Sequence, residues 1–373
     1  MKKILLITLE YPPIVGGIAS YTHQLAAAYP PDQLIVLAPA HPASEAWDKT
    51  VPYRVIRRPL YFPWPLWPRW LRLAIHVYRI VKQEEISVIY IHHTLPVGYI
   101  GWIMSRWRRI PYVIFCHGTD FLLSTKNRWK LALTRAVFAS AKQITVNSAS
   151  LGDRFLSVYP EVRDKLTVVY PCPHERFFVR PSDEALARLR ARYGLEGKRV
   201  MLSVSRLGEG KGFPQLTKIL PEILNKVHNL VWLIVGDGPK RQTVFSLVQK
   251  QSLENVVRYV GEVSPVDLPP YFYLADIFVL LTHPDVTRGE EGLGLVFLEA
   301  AAAGVSAVAG KSGGVEEAVL HGFGGLVVNT YAKEEVIGAI TTLLTNPAYA
   351  NQLGAAARSR VKSEFDWQHQ LKK

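Results

Sequence analysis

The sequence predicts an α/β protein of two domains, each built on a doubly wound parallel sheet. Three observations carry this. The chain has 373 residues, room for two domains at roughly 100–200 residues each. Short apolar runs alternate with longer amphipathic stretches along its whole length. A proline-bracketed segment, Tyr170-Pro171-Cys172-Pro173, interrupts the alternation near the middle.

Composition narrows the class. Apolar residues make up 49% and charged residues 20%, which excludes general disorder. Two cysteines, Cys116 and Cys172, give neither a disulfide framework nor a Cys-based zinc site and fit a reducing cytoplasm. The charge is lopsided. Residues 1–180 hold 23 Lys/Arg against 11 Asp/Glu, a net +12, and residues 181–373 hold 21 against 20, a net +1. A polyanion or an anionic membrane surface is therefore expected as a partner of the first half only.

The first apolar run, Ile4–Leu9, stops at Glu10 with no small-residue cleavage site behind it. It reads as a buried strand rather than a leader peptide. The strands expected after it are Gln33–Ala38, Tyr53–Arg57, Val88–His92, Tyr112–His117, Gln143–Asn147 and Leu166–Val169. Helices are expected over Ser20–Ala28, Trp70–Gln83 and Arg128–Ala139. A second strand series runs Arg199–Val204, Val231–Val235, Val256–Val260, Ile277–Leu281, Ser306–Ala309 and Gly325–Val328. No apolar run approaches the ~18–20 residues of a membrane-spanning helix.

In doubly wound sheets ligands sit beyond the carboxyl ends of the strands. The first strand leads to Gly16-Gly17 ahead of a helix, either a tight turn or a place where backbone N–H groups meet an anion. The fifth ends in His117-Gly118-Thr119-Asp120, where His117 and Asp120 are placed to orient a substrate or stabilise charge. After the first strand of the second half come Arg206 and Lys211, five apart among glycines, a spacing that aims two cations at a diphosphate. Gly236-Asp237-Gly238-Pro239 lacks the third glycine of a dinucleotide fingerprint and speaks against NAD.

The densest segment is Glu291-Gly292-Leu293-Gly294-Leu295-Val296-Phe297-Leu298-Glu299. Its two carboxylates can each accept a pair of hydrogen bonds from a vicinal diol, one on a ribose and one on a hexose. Gly292 and Gly294 leave backbone N–H groups open to phosphate oxygens.

In this order, Gly16-Gly17, His117-Gly118, Arg206/Lys211, Gly236-Asp237-Gly238 and Glu-x7-Glu, the chain resembles glycosyltransferase family 4, retaining enzymes of the GT-B fold. The resemblance implies two Rossmann-like domains facing a cleft: an acceptor-binding domain over 1–175 and a donor-binding domain over 176–355. The C-terminal helix, 356–373 and including Glu364-Phe365-Asp366-Trp367, is expected to cross back onto the first domain. It implies that Arg206 and Lys211 bind the donor diphosphate and stabilise its departure. Glu299 would hold the ribose, and Glu291, with the backbone of Gly292, Leu293, Gly294 and Leu295, the transferred sugar. Gly236 and the stretch from Tyr259 to Val263 would border the nucleotide. Gly16 and Gly17 would close over the phosphate, Gly17, Tyr21 and Asp120 would lie on the acceptor side, and His117 would sit against the reacting carbon.

No Asp-x-Asp occurs, and no His/Asp cluster has metal-ligand spacing, so neither metal nor another cofactor is expected. Cationic side chains would take the metal's place at the leaving diphosphate.

Residues 52–82 hold Trp64, Trp67 and Trp70 among Arg57, Arg58, Arg69 and Arg72. This is either an interfacial element drawn to anionic lipid or a proline-rich loop packed on the core. A nucleic-acid reading of the same charge lacks any recognition motif. The interfacial reading suggests a lipid or lipid-linked glycan acceptor and a protein peripheral to the inner face of the cell membrane. The segment 287–294 is similar to the loop of phosphatidylinositol mannosyltransferases, which implies GDP-mannose as donor. A UDP-sugar donor, or a nucleotide-sugar-binding protein without turnover, are the alternatives.

Overall fold

The computed structural model describes residues 3–14, 16–118, 127–284 and 290–373. The chain divides into two units, 1–171 with 367–373, and 172–366.

The first unit is a seven-stranded parallel sheet: β1 (Lys3–Thr8), β2 (Leu34–Pro39), β3 (Arg54–Arg58), β4 (Ile86–His92), β5 (Tyr112–Cys116), β6 (Gln143–Val146) and β7 (Leu166–Val168). Their order is β3-β2-β1-β4-β5-β6-β7. The strands read as nearly continuous apolar runs because helices cover both faces of the sheet. Leu5, Ile7, Ile91 and Ile114 belong to the core on one face, and Ile4, Leu6, Val36 and Phe115 to the core on the other.

The second unit has six parallel strands: β8 (Arg199–Val204), β9 (Leu230–Val235), β10 (Val257–Gly261), β11 (Ile277–Leu280), β12 (Ala307–Gly310) and β13 (Gly325–Val328), in the order β10-β9-β8-β11-β12-β13. Every strand expected from the apolar runs is present, shifted at its ends by no more than two residues. Both sheets reverse direction of winding beside their first strand, between β1 and β4 and between β8 and β11. Those reversals open the crevices where such folds take ligands.

The chain returns to the first unit at Trp367, eleven residues later than expected from the sequence; the helix Pro347–Glu364 stays with the second unit. Trp367 stacks obliquely on Tyr21 at 5.5 Å, and Gln370 accepts a 3.0 Å hydrogen bond from the Tyr170 backbone.

Candidate active site

In the second unit, the loop after β8 is pinned from both sides. Leu207 N donates to Asp237 O at 3.0 Å and Lys240 N to Leu207 O at 2.8 Å, which ties it to the loop after β9. His283 N, beyond β11, donates to Gly210 O at 3.0 Å. Gly212 begins the helix Phe213–Leu224 with φ +72°, and a Cβ there would stand 2.2 Å from Leu281 O. Only glycine permits that approach. Arg206 is exposed at the mouth of the loop.

Lys211 Nζ meets Glu291 Oε2 at 2.5 Å. The cation expected at the diphosphate and the carboxylate expected at the sugar thus share one point. Glu291 itself is held through its backbone: its N–H donates to Ser312 Oγ at 3.3 Å, and its carbonyl accepts from Gly314 N at 3.1 Å. Gly294, φ +85°, then caps the helix Leu295–Ala302, and its carbonyl accepts from Phe297 N at 2.9 Å. Leu293, Phe297 and Leu298 fill the core beneath, while Gly292 and Leu295 are partly exposed.

Glu299 lies on that helix beside Arg176, from the short turn Glu175–Phe178. Burial pushes the Glu299 carboxyl up to about 8, and the Arg176 guanidinium pulls the other way. Arg176 is 3.0 Å from His174 Nε2. Gly236 follows β9, and Val263 lies just past β10 and is half-buried. Tyr259 packs against Phe245 at 5.0 Å and under the Arg241 guanidinium at 4.8 Å, so the stretch from Tyr259 to Val263 is anchored by its first side chain.

The first unit gathers a second group at the carboxyl ends of β1, β4 and β5. His117 Nε2 is 3.2 Å from His92 Nδ1, and the two rings stack at 5.3 Å and 21°. His92 also stacks on Phe115 at 4.4 Å, and its Nδ1 lies 3.3 Å from Thr22 Oγ1. Burial holds His92 well below the ordinary histidine pKa, with the charges of His117 and His93 adding to the effect. It is a neutral ring.

His93 has φ +106°, a conformation that L side chains rarely adopt and that marks functional sites. Its Nε2 is 3.7 Å from Glu10 Oε1, and the hydrogen bond to His93 holds the Glu10 carboxyl below its usual range. Gly16 and Gly17 open the helix Gly17–Ala27 above Glu10, whose Oε2 would be 3.8 Å from a Cβ on Gly16.

Tyr21 is buried, with its hydroxyl donating to Val169 O at 3.3 Å and its ring edge-on to His117 at 5.4 Å. It buttresses His117. Asp120, together with Thr119 and residues 287–289, lies outside the described residues.

Glu10, His92, His93, Arg176, His283 and Ser312 join these groups without having been expected. Position after an expected strand was a signal for Glu10, His93 and His283. Nothing in the sequence marked Arg176 or Ser312.

The basic, aromatic segment divides. Trp64 and Trp67 are 82% and 83% exposed, with Leu66, Leu71 and Ile75 also exposed nearby in sequence. Arg58 and Arg69 are exposed and Arg72 is partly so. Arg57 and Trp70 turn inward. Arg57, 11% exposed, pairs with Asp48 at 2.7 Å and donates to the carbonyls of Pro39 and Pro12. Trp70 packs on Tyr99 at 5.8 Å against the core.

Among the described residues, no three His, Cys, Asp or Glu side chains are grouped to hold a metal ion, and no helix is long and apolar enough to cross a membrane.

Comparison with known proteins identifies the family and the fold. Residues 15–172 match the domain "Glycosyltransferase Family 4", and residues 187–360 match "Glycosyl transferases group 1". The chain is 30% identical to the GDP-mannose-dependent alpha-(1-6)-phosphatidylinositol monomannoside mannosyltransferase of Mycobacterium tuberculosis, over 98% of this chain and 95% of that protein. It is 28% identical, with the same coverages, to the GDP-mannose-dependent monoacylated alpha-(1-6)-phosphatidylinositol monomannoside mannosyltransferase of Corynebacterium glutamicum. Among solved structures, Anabaena HepE in complex with UDP superposes with a TM-score of 0.82 at 21% identity, over 99% of this chain and 97% of that one. With its two parallel sheets and this likeness over nearly its full length, the chain belongs to the glycosyltransferases, as a family 4 member of the GT-B fold.

Proposed function

We propose that this enzyme is a retaining mannosyltransferase that takes GDP-mannose as donor and a phosphatidylinositol-linked or other lipid-linked glycan as acceptor. The 30% identity with the mycobacterial mannosyltransferase over almost the full length of both chains carries this reading.

In the proposed reaction Arg206 and Lys211 hold the diphosphate, and their charge offsets the negative charge that grows as the sugar C1–O bond breaks. Glu291 accepts hydrogen bonds from sugar hydroxyls and Glu299 from the ribose diol. The acceptor hydroxyl attacks C1 from the face the diphosphate leaves. A leaving phosphate oxygen takes its proton, so configuration is retained and no enzyme carboxylate needs to form a covalent adduct. The lysine and arginine carry the role that a divalent cation has elsewhere. His117 lies against the reacting sugar, positioned by His92.

The acceptor reading draws support from Trp64, Leu66 and Trp67, exposed in a segment that also carries Arg58, Arg69 and Arg72. Aromatic rings seat at the headgroup level and the arginines attract anionic lipid. The protein is then peripheral to the inner face of the cell membrane, where it meets a cytoplasmic nucleotide sugar.

A thermal-shift panel of GDP, UDP and ADP, with and without their sugars, tests the donor. A ligand at 100 times its Kd adds about 2.7 kcal/mol, a shift of a few degrees. Selective stabilisation by GDP and GDP-mannose is expected. A response to UDP alone would replace the mannosyl reading with a UDP-sugar one, and no nucleotide response would refute the donor site.

A further inference from the structure

A groove of about 600 Å³ runs along the first unit between the edge strand β3, the helix Leu71–Glu84 and the short helix Ser44–Asp48. It is within the size range of small-molecule sites. Four arginines line it: Arg54, Arg57, Arg58 and Arg79. Two of them are neutralised locally, Arg54 by Glu84 at 2.5 Å and Arg57 by Asp48 at 2.7 Å. Glu45, also in the wall, pairs with Lys49 at 3.0 Å. Arg58 and Arg79 have no carboxylate within ion-pair distance among the described residues.

Between them lies His76. Its Nε2 is buried and has no hydrogen-bond partner. Burial lowers the His76 pKa; a hydrogen bond to the Pro59 carbonyl opposes this, and the charges of Arg72, Arg58 and Arg79 lower it further.

We propose that the groove is a subsite for a phosphate group, a monoester or diester whose oxygens accept hydrogen bonds from the Arg58 and Arg79 guanidiniums beside His76. Phosphate suits this set because it presents several acceptor oxygens and up to two charges to a planar donor fork. The group comes either from a lipid headgroup or from a soluble phosphate. The headgroup source rests on the lipid-acceptor reading above, and the phosphate site itself does not.

The test uses the full chain with inorganic phosphate and inositol 1-phosphate as soluble probes, chloride at equal ionic strength as control, and phosphatidylcholine vesicles with and without phosphatidylinositol. Saturable binding of inorganic phosphate is expected, with movement of the His76 side-chain NMR resonance that chloride does not reproduce. The double variant His76→Gln, Arg79→Gln should weaken phosphate binding at least tenfold while its GDP-induced thermal shift is unchanged, which shows the protein folded. Competition between inositol 1-phosphate and phosphatidylinositol vesicles identifies the headgroup as the source. Phosphate binding without such competition identifies a soluble phosphate. No saturable phosphate binding, or binding unaltered in the double variant, overturns the proposal. Mannosyl transfer is scored separately, so loss of the transferase reading and loss of this site are distinguishable.

Discussion

Lys211 Nζ and Glu291 Oε2 stand 2.5 Å apart, although one follows β8 and the other lies beyond β11. The strand order brings them together, since β8 and β11 are neighbours in the sheet. In the proposed reaction the cation assigned to the diphosphate and the carboxylate assigned to the sugar would meet the donor at its glycosidic oxygen.

Lys211→Met should therefore cut kcat by about 10²–10³ with a smaller change in donor KM, because the diphosphate charge is largest in the transition state. Glu291→Gln should also impair turnover, and the double variant should lose less than the sum of the two, because each single variant already breaks the same ion pair. Steady-state kinetics with the donor varied checks both. Additive losses, or a change confined to KM, would contradict the shared locus.

Burial pushes the Glu299 carboxyl up to about 8, against the pull of Arg176. A ribose diol donates two hydrogen bonds most favourably to the ionised carboxylate, so GDP binding at pH 7 should release a proton. Calorimetry in buffers of different ionisation enthalpy reads this directly. Glu299→Gln should abolish the release, and Glu299→Ala should weaken GDP by about 1–3 kcal/mol. The folded pKa lies above the unfolded one, so the protonated carboxyl favours folding at low pH. That contribution is lost as pH rises from the unfolded value toward 8, and the Glu299→Gln variant should lack this slope.

His92 has the opposite sign. Its depressed pKa makes the neutral ring part of the folded state above about pH 6.5, and protonation on acidification favours unfolding. His92→Phe should flatten the acid side of the stability profile. It should also lower kcat, since His117 loses its ring partner at 3.2 Å, while the GDP-induced thermal shift is retained.

The arginines of the basic segment should separate cleanly. Replacing Arg58, Arg69 and Arg72 with serine should weaken binding to anionic vesicles in a salt-sensitive manner and leave stability within about 0.5 kcal/mol. Arg57→Ser should instead cost about 1–3 kcal/mol in urea unfolding, because it leaves Asp48 and two carbonyls without their donor. Trp64→Ser with Trp67→Ser should reduce vesicle binding at high salt as well as low.

The strands were legible in the sequence because a strand covered on both faces has to be an apolar run, and Ile4–Leu9 or Val231–Val235 admits few other readings. Arg206, Lys211, Glu291 and Glu299 were legible as candidates because they follow expected strands in glycine-rich segments. What the sequence concealed depends on strand order. Glu10 and His93 meet only because β4 inserts beside β1, and Arg176 reaches Glu299 only through the packing of its turn on the helix Leu295–Ala302. Arg57 and Arg58 looked alike as neighbours in a basic run. The alternation of a strand sends one inward and the other out.

The most direct test of the proposed function is transfer of radiolabelled mannose from GDP-mannose to phosphatidylinositol monomannoside in mixed vesicles, with EDTA present. The label should appear in the organic phase as a dimannoside with the α configuration, and Lys211→Met should lose it. Label that stays with the nucleotide, appears only when UDP-sugars are supplied, or needs added Mg²⁺ would contradict the account.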